Sequence, residues 1–213
     1  MNWLSDLERK YGRFCIPNLT TILVAGQILV YAIELFVNQF ITVYLGLNRF
    51  LLFSGEIWRL ITFVFIPFSG GGPLSVILGI YFTWFIGTAL EREWGDFKFN
   101  VYFLLGMVGT ILACLVTGIT ADTYCLSLSL LLAFAMLYPE VQVLLFFLIP
   151  VRVKYFGLFA AVLWAFSFLT TSLTGKVYYL LCMLNFLVFF GPQAGRSIRA
   201  WVRREQWKRK NRR

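Results

Sequence analysis

Residues 74–119 read LSVILGIYFTWFIGTAL-EREWGDF-KF-NVYFLLGMVGTILACLVTGI. Two apolar runs, Leu74–Leu90 and Asn100–Ile119, flank a charged turn, Glu91–Phe97. A transmembrane helix needs about 20 mostly apolar residues, and somewhat fewer where neighbouring helices shield it. Both runs qualify as membrane spans. Working outward, Leu19–Phe40 is an earlier span that holds one acid, Glu34. Between it and Leu74 lies a mixed stretch, Ile41–Gly72, with Arg49, Glu56, Arg59 and a Ser69-Gly70-Gly71-Gly72-Pro73 break. Beyond Ile119, Leu126–Tyr138 is a short fourth span ending at Pro139, Tyr155–Thr170 a fifth, and Val177–Phe190 a short sixth. Val141–Ile149 is apolar but brief and reads as a re-entrant or interfacial piece. The short spans suit inner helices of a packed bundle or a locally thinned bilayer. The expected fold is all-α, a polytopic membrane protein with a bundle of six transmembrane helices.

Composition points the same way. The chain has 213 residues, 60% of them hydrophobic and only 14% charged, with a mean hydropathy of +0.77. About a quarter of residues are charged in an ordinary soluble domain. A water-soluble globule of this size keeps too much surface wet to hide so much apolar area, and disorder requires low hydrophobicity. Histidine is absent, which excludes Ser-His, Cys-His and zinc-His chemistry. The four cysteines, Cys15, Cys114, Cys125 and Cys182, form no CxxC pair, so neither a disulfide framework nor a metal site is expected. No cofactor is expected either.

The net charge of +9 is uneven. From Gly195 onward nine residues are Arg or Lys, opposed only by Glu205. After a long apolar body such a run reads as a cytoplasmic membrane flank, with nucleic acid the lesser alternative. Trp201, Val202 and Trp207 among the bases suit a short amphipathic helix on an anionic leaflet. With six spans and both termini cytoplasmic, sixteen of the nineteen basic residues lie inside, leaving Arg49, Arg59 and Lys176 outside; that asymmetry favours this orientation over its inverse. Charged residues within 1–17 and the length of the first apolar run argue against a cleaved signal. The chain thus divides into a cytoplasmic segment 1–17, a transmembrane domain 18–191 and a basic cytoplasmic tail 192–213. No duplicated half is evident, which argues against an inverted-repeat transporter.

Four pieces, in order, resemble the rhomboid superfamily. Gly55-Glu56-Ile57-Trp58-Arg59-Leu60-Ile61-Thr62 is similar to the WR segment that rhomboid proteases and Derlins carry after the first span. Leu90-Glu91-Arg92-Glu93-Trp94-Gly95 is similar to the close of the second rhomboid helix, with its E-x-x-x-G pattern. Asn100–Gly106 resembles the start of the third helix, and Ala133–Pro139 followed by Leu145–Val151 resembles the end of the fourth and its join to the fifth. The resemblance covers about 18–191 and implies a rhomboid-like bundle.

The departures from that family concern its chemistry. In active rhomboids the fourth helix opens with G-x-S-G, whose serine is the nucleophile. Aligned backwards from Ala133-Phe134, the motif falls on Asp122-Thr123-Tyr124-Cys125, with Tyr124 at the serine position. The family's second-helix His and Asn, which help hold the oxyanion, fall near Ser75 and Gly79. The sixth-helix histidine has no counterpart. A serine hydroxyl needs a base to act as a nucleophile. What the resemblance then implies is a pseudoprotease that binds transmembrane segments of other membrane proteins and serves their turnover or quality control. Its setting would be a lipid bilayer, that of a bacterial plasma membrane.

Two alternatives accompany this expectation. A non-standard Ser–Lys dyad would draw on Ser127 or Ser129 with Lys176 and make the chain an active intramembrane serine endopeptidase. A small transporter or channel would need a wet pathway, for which Glu34 and Asn185 are the polar residues in the clear spans. The same two residues are the candidate client contacts. Trp58 and Arg59 read as an interfacial anchor, or as a loop lying half in the outer leaflet with Arg59 bonded to backbone carbonyls. Glu91, beside Gly95, reads as a structural hydrogen-bonding group. Gly106, Gly109, Gly157, Ala160 and Ala161 read as helix-contact surfaces.

Overall fold

The computed structural model describes residues 8–10, 12, 15–68, 72–145 and 149–191, with 143–145 and 149–151 described by their backbone alone. The basic tail 192–213 and most of 1–14 lie outside the described residues. The elements in chain order are α1 (Leu19–Phe36), α2 (Ile41–Leu45), α3 (Arg49–Phe53), α4 (Arg59–Thr62) running into a 3-10 turn at Phe63–Phe65, α5 (Pro73–Trp94), α6 (Asp96–Thr117) and α7 (Tyr124–Leu137). They continue as β1 (Gln142–Leu145), β2 (Ile149–Arg152), α8 (Val153–Thr170) and α9 (Leu173–Cys182), then α10 (Leu184–Gly191). Helices α1, α5, α6 and α8 are long and apolar enough to cross a membrane, and α9 with α10, bent by 58°, would make a fifth span. The chain is therefore built as a multi-pass membrane protein. At 14 residues α7 is short of a span by itself.

Several boundaries differ from the hydropathy pattern. The first helix stops at Phe36 rather than Phe40, where a turn at Asn38 breaks it. Glu91–Phe97 is not a turn: α5 runs on through Trp94 and α6 begins at Asp96, so the whole reversal falls on Gly95. Its φ of +79° lies in the region glycine alone occupies without strain. The Val141–Ile149 piece, expected as re-entrant or interfacial, enters a β-ribbon. Gln142–Leu145 pairs antiparallel with Ile149–Arg152 in a two-stranded ribbon; among the described residues the other regular structure is helical, save the single Leu47–Ala121 bridge. The sixth apolar run starts earlier than Val177, at Leu173, where Ser172 caps α9 by accepting the Gly175 N–H; it breaks at Met183 rather than continuing straight.

Helix α6 is central: half of its most apolar window is buried, against 28% for α1 and α5 and 11% for α8. Close approach explains how it gains neighbours on several sides. Gly106 faces Leu126 and Asn185, and Gly109 lies against the Leu181 carbonyl, where any Cβ would collide. Small residues admit such backbone contact between membrane helices. Helix α9 packs on α6, α1 on α5, and both α5 and α8 on α7. Gly157 seats α8 against Ala135 of α7.

Long-range polar bonds close the two ends of the bundle. At the end carrying Leu19 and Trp94 (the lower end), Glu91 Oε1 accepts the Leu19 N–H at 2.8 Å, satisfying one of the donors that a helix start leaves without an internal partner. Asn100 Nδ2 donates to Ile16 O at 2.8 Å and to Asp96 O at 2.7 Å. Trp94, Tyr102 and Phe189 stack there, Tyr102 and Phe189 edge-to-face at 5.0 Å. At the opposite, upper end, Leu47 and Ala121 exchange backbone bonds of 3.0 and 2.9 Å. Thr123 Oγ1 reaches the carbonyls of Phe63 (2.8 Å) and Ile66 (2.6 Å). These bonds pin α2–α4 onto the α6–α7 connection.

Candidate functional site

Helix α7 is the floor of the site. Its alternate faces separate its polar residues, because positions two apart on a helix point roughly 200° apart. One face turns toward α9 and α10. There Cys125 Sγ lies 3.9 Å from the Tyr178 hydroxyl. One turn along, the fully buried Ser129 donates to Leu126 O at 2.8 Å and accepts from Asn185 Nδ2 at 2.9 Å. Tyr102 donates to the Ser129 carbonyl at 2.8 Å.

The opposite face meets α5 along its length and α8 only lower down. Its first cavity, about 150 Å³, is walled by Phe68, Gly79, Thr83 and Ile86 on one side and by Tyr124, Ser127, Leu128 and Leu131 on the other. A second, about 200 Å³, lies below it among Phe82, Phe85, Phe134, Val153 and Phe156 and shares Ile86 and Leu131 with the first. The two form one groove, almost wholly apolar, running down α7. Gly79 lets the chain after α4 close over α5: a Cβ there would stand 2.7 Å from the Phe68 carbonyl oxygen.

The candidates named from sequence fall as follows. Tyr124 and Gly79 line the same groove, and Ser75 sits half-buried one turn above Gly79 on the same face of α5. Ser127 opens into the groove, whereas Ser129 is turned away from it into the core. Lys176 sits half-buried on α9, the helix whose Tyr178 meets the Cys125 face of α7. It lies two residues above Tyr178 while Ser129 lies four below Cys125, an axial offset of roughly 9 Å at the usual helical rise. Neither serine is brought together with Lys176. Asn185 is wholly buried, its amide engaged by Ser129 and its Oδ1 by the Phe186 N–H. Glu34, half-buried, lines a further cavity of about 340 Å³ at the upper end together with Asp122.

Arg59 is 2% exposed. Its Nη1 donates to Val43 O at 2.8 Å and Gly46 O at 2.6 Å, and its Nε to Glu56 Oε2 at 2.6 Å. Trp58 beside it is exposed at the surface of the α2–α4 loop. Glu91 and Gly95 serve the lower end as already described. Sequence reasoning missed Asn100, whose only signal is a polar side chain opening an apolar run. It also missed Cys125 as the residue of its tetrapeptide that faces α9, since only helix phase relative to the neighbours decides that.

Among the described residues no group of three or more His, Cys, Asp or Glu could hold a metal. No protein-family model matches the chain, and no curated protein matches it at a significant level.

Proposed function

We propose that this chain is a rhomboid-like pseudoprotease that receives a transmembrane segment of another membrane protein in the groove between α5 and α8 and serves that protein's turnover or quality control. The observation that carries the proposal is the groove itself: an apolar channel along a short central helix, opening sideways between two peripheral helices in a chain without histidine. A cleft lined by Phe82, Phe85, Phe134 and Phe156 offers a membrane segment side-chain contacts that fluid lipid does not. In this proposal Ser127, Ser129 and Lys176 do not form a hydrolytic centre. Ser129 is consumed by Leu126 and Asn185, and Ser127 faces away from α9 and its Lys176.

Several features support the superfamily part of the proposal. The WR segment is a hooked loop held by Arg59 through backbone carbonyls, and the E-x-x-x-G pattern ends one helix and starts the next. In this proposal six segments cross, α7 doing so because its neighbours shield its length. Both termini are cytoplasmic, as the distribution of basic residues favours. The exposed Phe50, Phe53, Ile57, Trp58 and Ile61 then lie in the outer leaflet, and the tail 192–213 rests on anionic lipid of the inner one.

The test is in-cell photocrosslinking from a photoreactive residue placed at Ser127, with a control at Lys98 on the lower surface. Capture of transmembrane segments from Ser127 alone supports the proposal. Capture of lipid alone, or labelling of the purified protein by a fluorophosphonate that Ser127→Ala abolishes, overturns it.

A further inference from the structure

The groove is bounded at both ends. At its upper end Phe68 and Tyr124 pack with ring centroids 5.8 Å apart and form a closed wall, with Asp122 exposed just beyond it. At its lower end the Tyr138 hydroxyl donates to Glu93 at 2.7 Å, joining the residue after α7 to the last turn of α5. Beside that link, Glu140 accepts from Arg152 at 2.8 Å and from Lys154 at 3.1 Å, where α8 begins. Between the two polar boundaries lies α7, whose 14 residues rise about 21 Å. Its neighbours are longer: the 22 residues of α5 rise about 33 Å and the 18 of α8 about 27 Å. The apolar core of a bilayer is about 30 Å thick.

We infer that the groove selects membrane segments whose apolar stretch is short, about 14 residues rather than the 20 or so of an ordinary span. This deepens the proposed function and rests on it. A helix of that length left in lipid falls about 9 Å short of the core. It must thin the bilayer or draw its polar flanks inward, and the cost grows with every ångström of mismatch. Alongside α7 the deficit disappears. The segment's apolar length faces Phe82, Phe85, Phe134 and Phe156, with side chains entering the two cavities. Its polar ends come level with Asp122 above and with Tyr138, Glu93 and Lys154 below. An ordinary span fits this place less well. About six of its residues must pass a charged boundary or stay on lipid, and because it already matches the bilayer it escapes no mismatch by leaving lipid. The bundle accommodates a helix of this length at this depth already, since α7 is one. Selection therefore acts through length, at equal apolar composition, and a segment too short for its membrane is the kind of client that quality control must recognise.

The test uses the full-length protein in proteoliposomes with two synthetic Leu/Ala peptides that share the same polar ends, one with an apolar core of about 14 residues and one of about 20. Photocrosslinking from a photoreactive residue at Ser127 reads capture of each. A photoreactive residue at Leu104, exposed on α6, reads clustering of short helices that has nothing to do with the groove. In lipid with a core of about 30 Å, the short peptide should be preferred about tenfold at Ser127 and no more than about onefold at Leu104. In lipid with a core of about 21 Å the short peptide is no longer mismatched, and the preference at Ser127 should fall to about onefold or below. Three results overturn the inference and leave the groove proposal standing: equal or greater capture of the long peptide at Ser127 in the thicker bilayer, a short-peptide excess as large at Leu104, or a preference that persists in the thin bilayer. Capture of neither peptide overturns both.

Discussion

Replacing Arg59 tests how the α2–α4 loop is held. Its guanidinium bonds two carbonyls, thirteen and sixteen residues back in the chain, and the Glu56 carboxylate. Arg59→Ala would leave two acceptors and an anion in a poorly hydrated place. Breaking a buried pair by removing one partner typically costs about 3–5 kcal/mol. The Glu56 side chain keeps 30% exposure, so water recovers part of that, and the low end, about 3 kcal/mol, is expected here. The loss falls on the loop, since the bonds join parts of the loop to each other. Leu47, next to Gly46, covers Cys114: the Cys114 thiol donates to the Leu47 carbonyl at 3.7 Å and is fully buried. Loop opening therefore exposes one thiol. At about 1.4 kcal/mol per tenfold, the open population should rise roughly a hundredfold. The assay is the alkylation rate of Cys114 in a background where the other three cysteines are alanine. Arg59→Lys should fall between parent and Arg59→Ala, because an ammonium cannot bridge two carbonyls and a carboxylate as a planar fork does. Equal alkylation rates for parent and Arg59→Ala would refute the reasoning.

Two further outcomes follow from groups elsewhere. Gln27 is 2% exposed and its Oε1 has no hydrogen-bond partner, so Gln27→Leu should raise unfolding stability in detergent by about 1 kcal/mol; a drop instead would mean that the amide is engaged in the membrane. At the lower surface, Lys154 first and Arg152 second hold the Glu140 carboxyl below the usual carboxylate range. A depressed folded value means the contribution is present above the unfolded value and is lost as pH falls through the folded one. The hydrogen bond from the Tyr138 hydroxyl to Glu93, 2.7 Å long, raises the phenol above its ordinary value. Its contribution is accordingly present below that ordinary value and lost as pH rises through the folded one. Protection of the Val153 amide, which donates to Val141 O, should be flat between these limits and weaken on the acid side; an acid limb that survives Glu140→Gln would contradict the assignment.

The legible part of the site was the part carried by residue identity. The absent histidine and the single acid in the first span can be read one position at a time. The groove could not be read so. Phe68, Thr83 and Leu131 are ordinary residues in ordinary apolar context, and they become a wall only because α5 packs on α7 and the segment after α4 closes over α5. Ser127 and Ser129 look equivalent in sequence, yet helix phase sends one to the groove and the other to Asn185. Asp122 drew attention only as a neighbour of Tyr124, since its companion Glu34 lies 88 residues earlier.

Hydropathy is a sum of transfer free energies along the chain, so it is local. From the sequence by itself came the membrane setting, the four long helices to within a turn or so and the uneven placement of positive charge. Contacts between distant residues are pairwise and leave no trace in such a sum. Tertiary structure alone decided that Glu91 completes a helix beginning 72 residues earlier, that Gly95 makes the whole reversal, that an apolar stretch becomes a β-ribbon, and that a fourteen-residue helix lies at the floor of the groove.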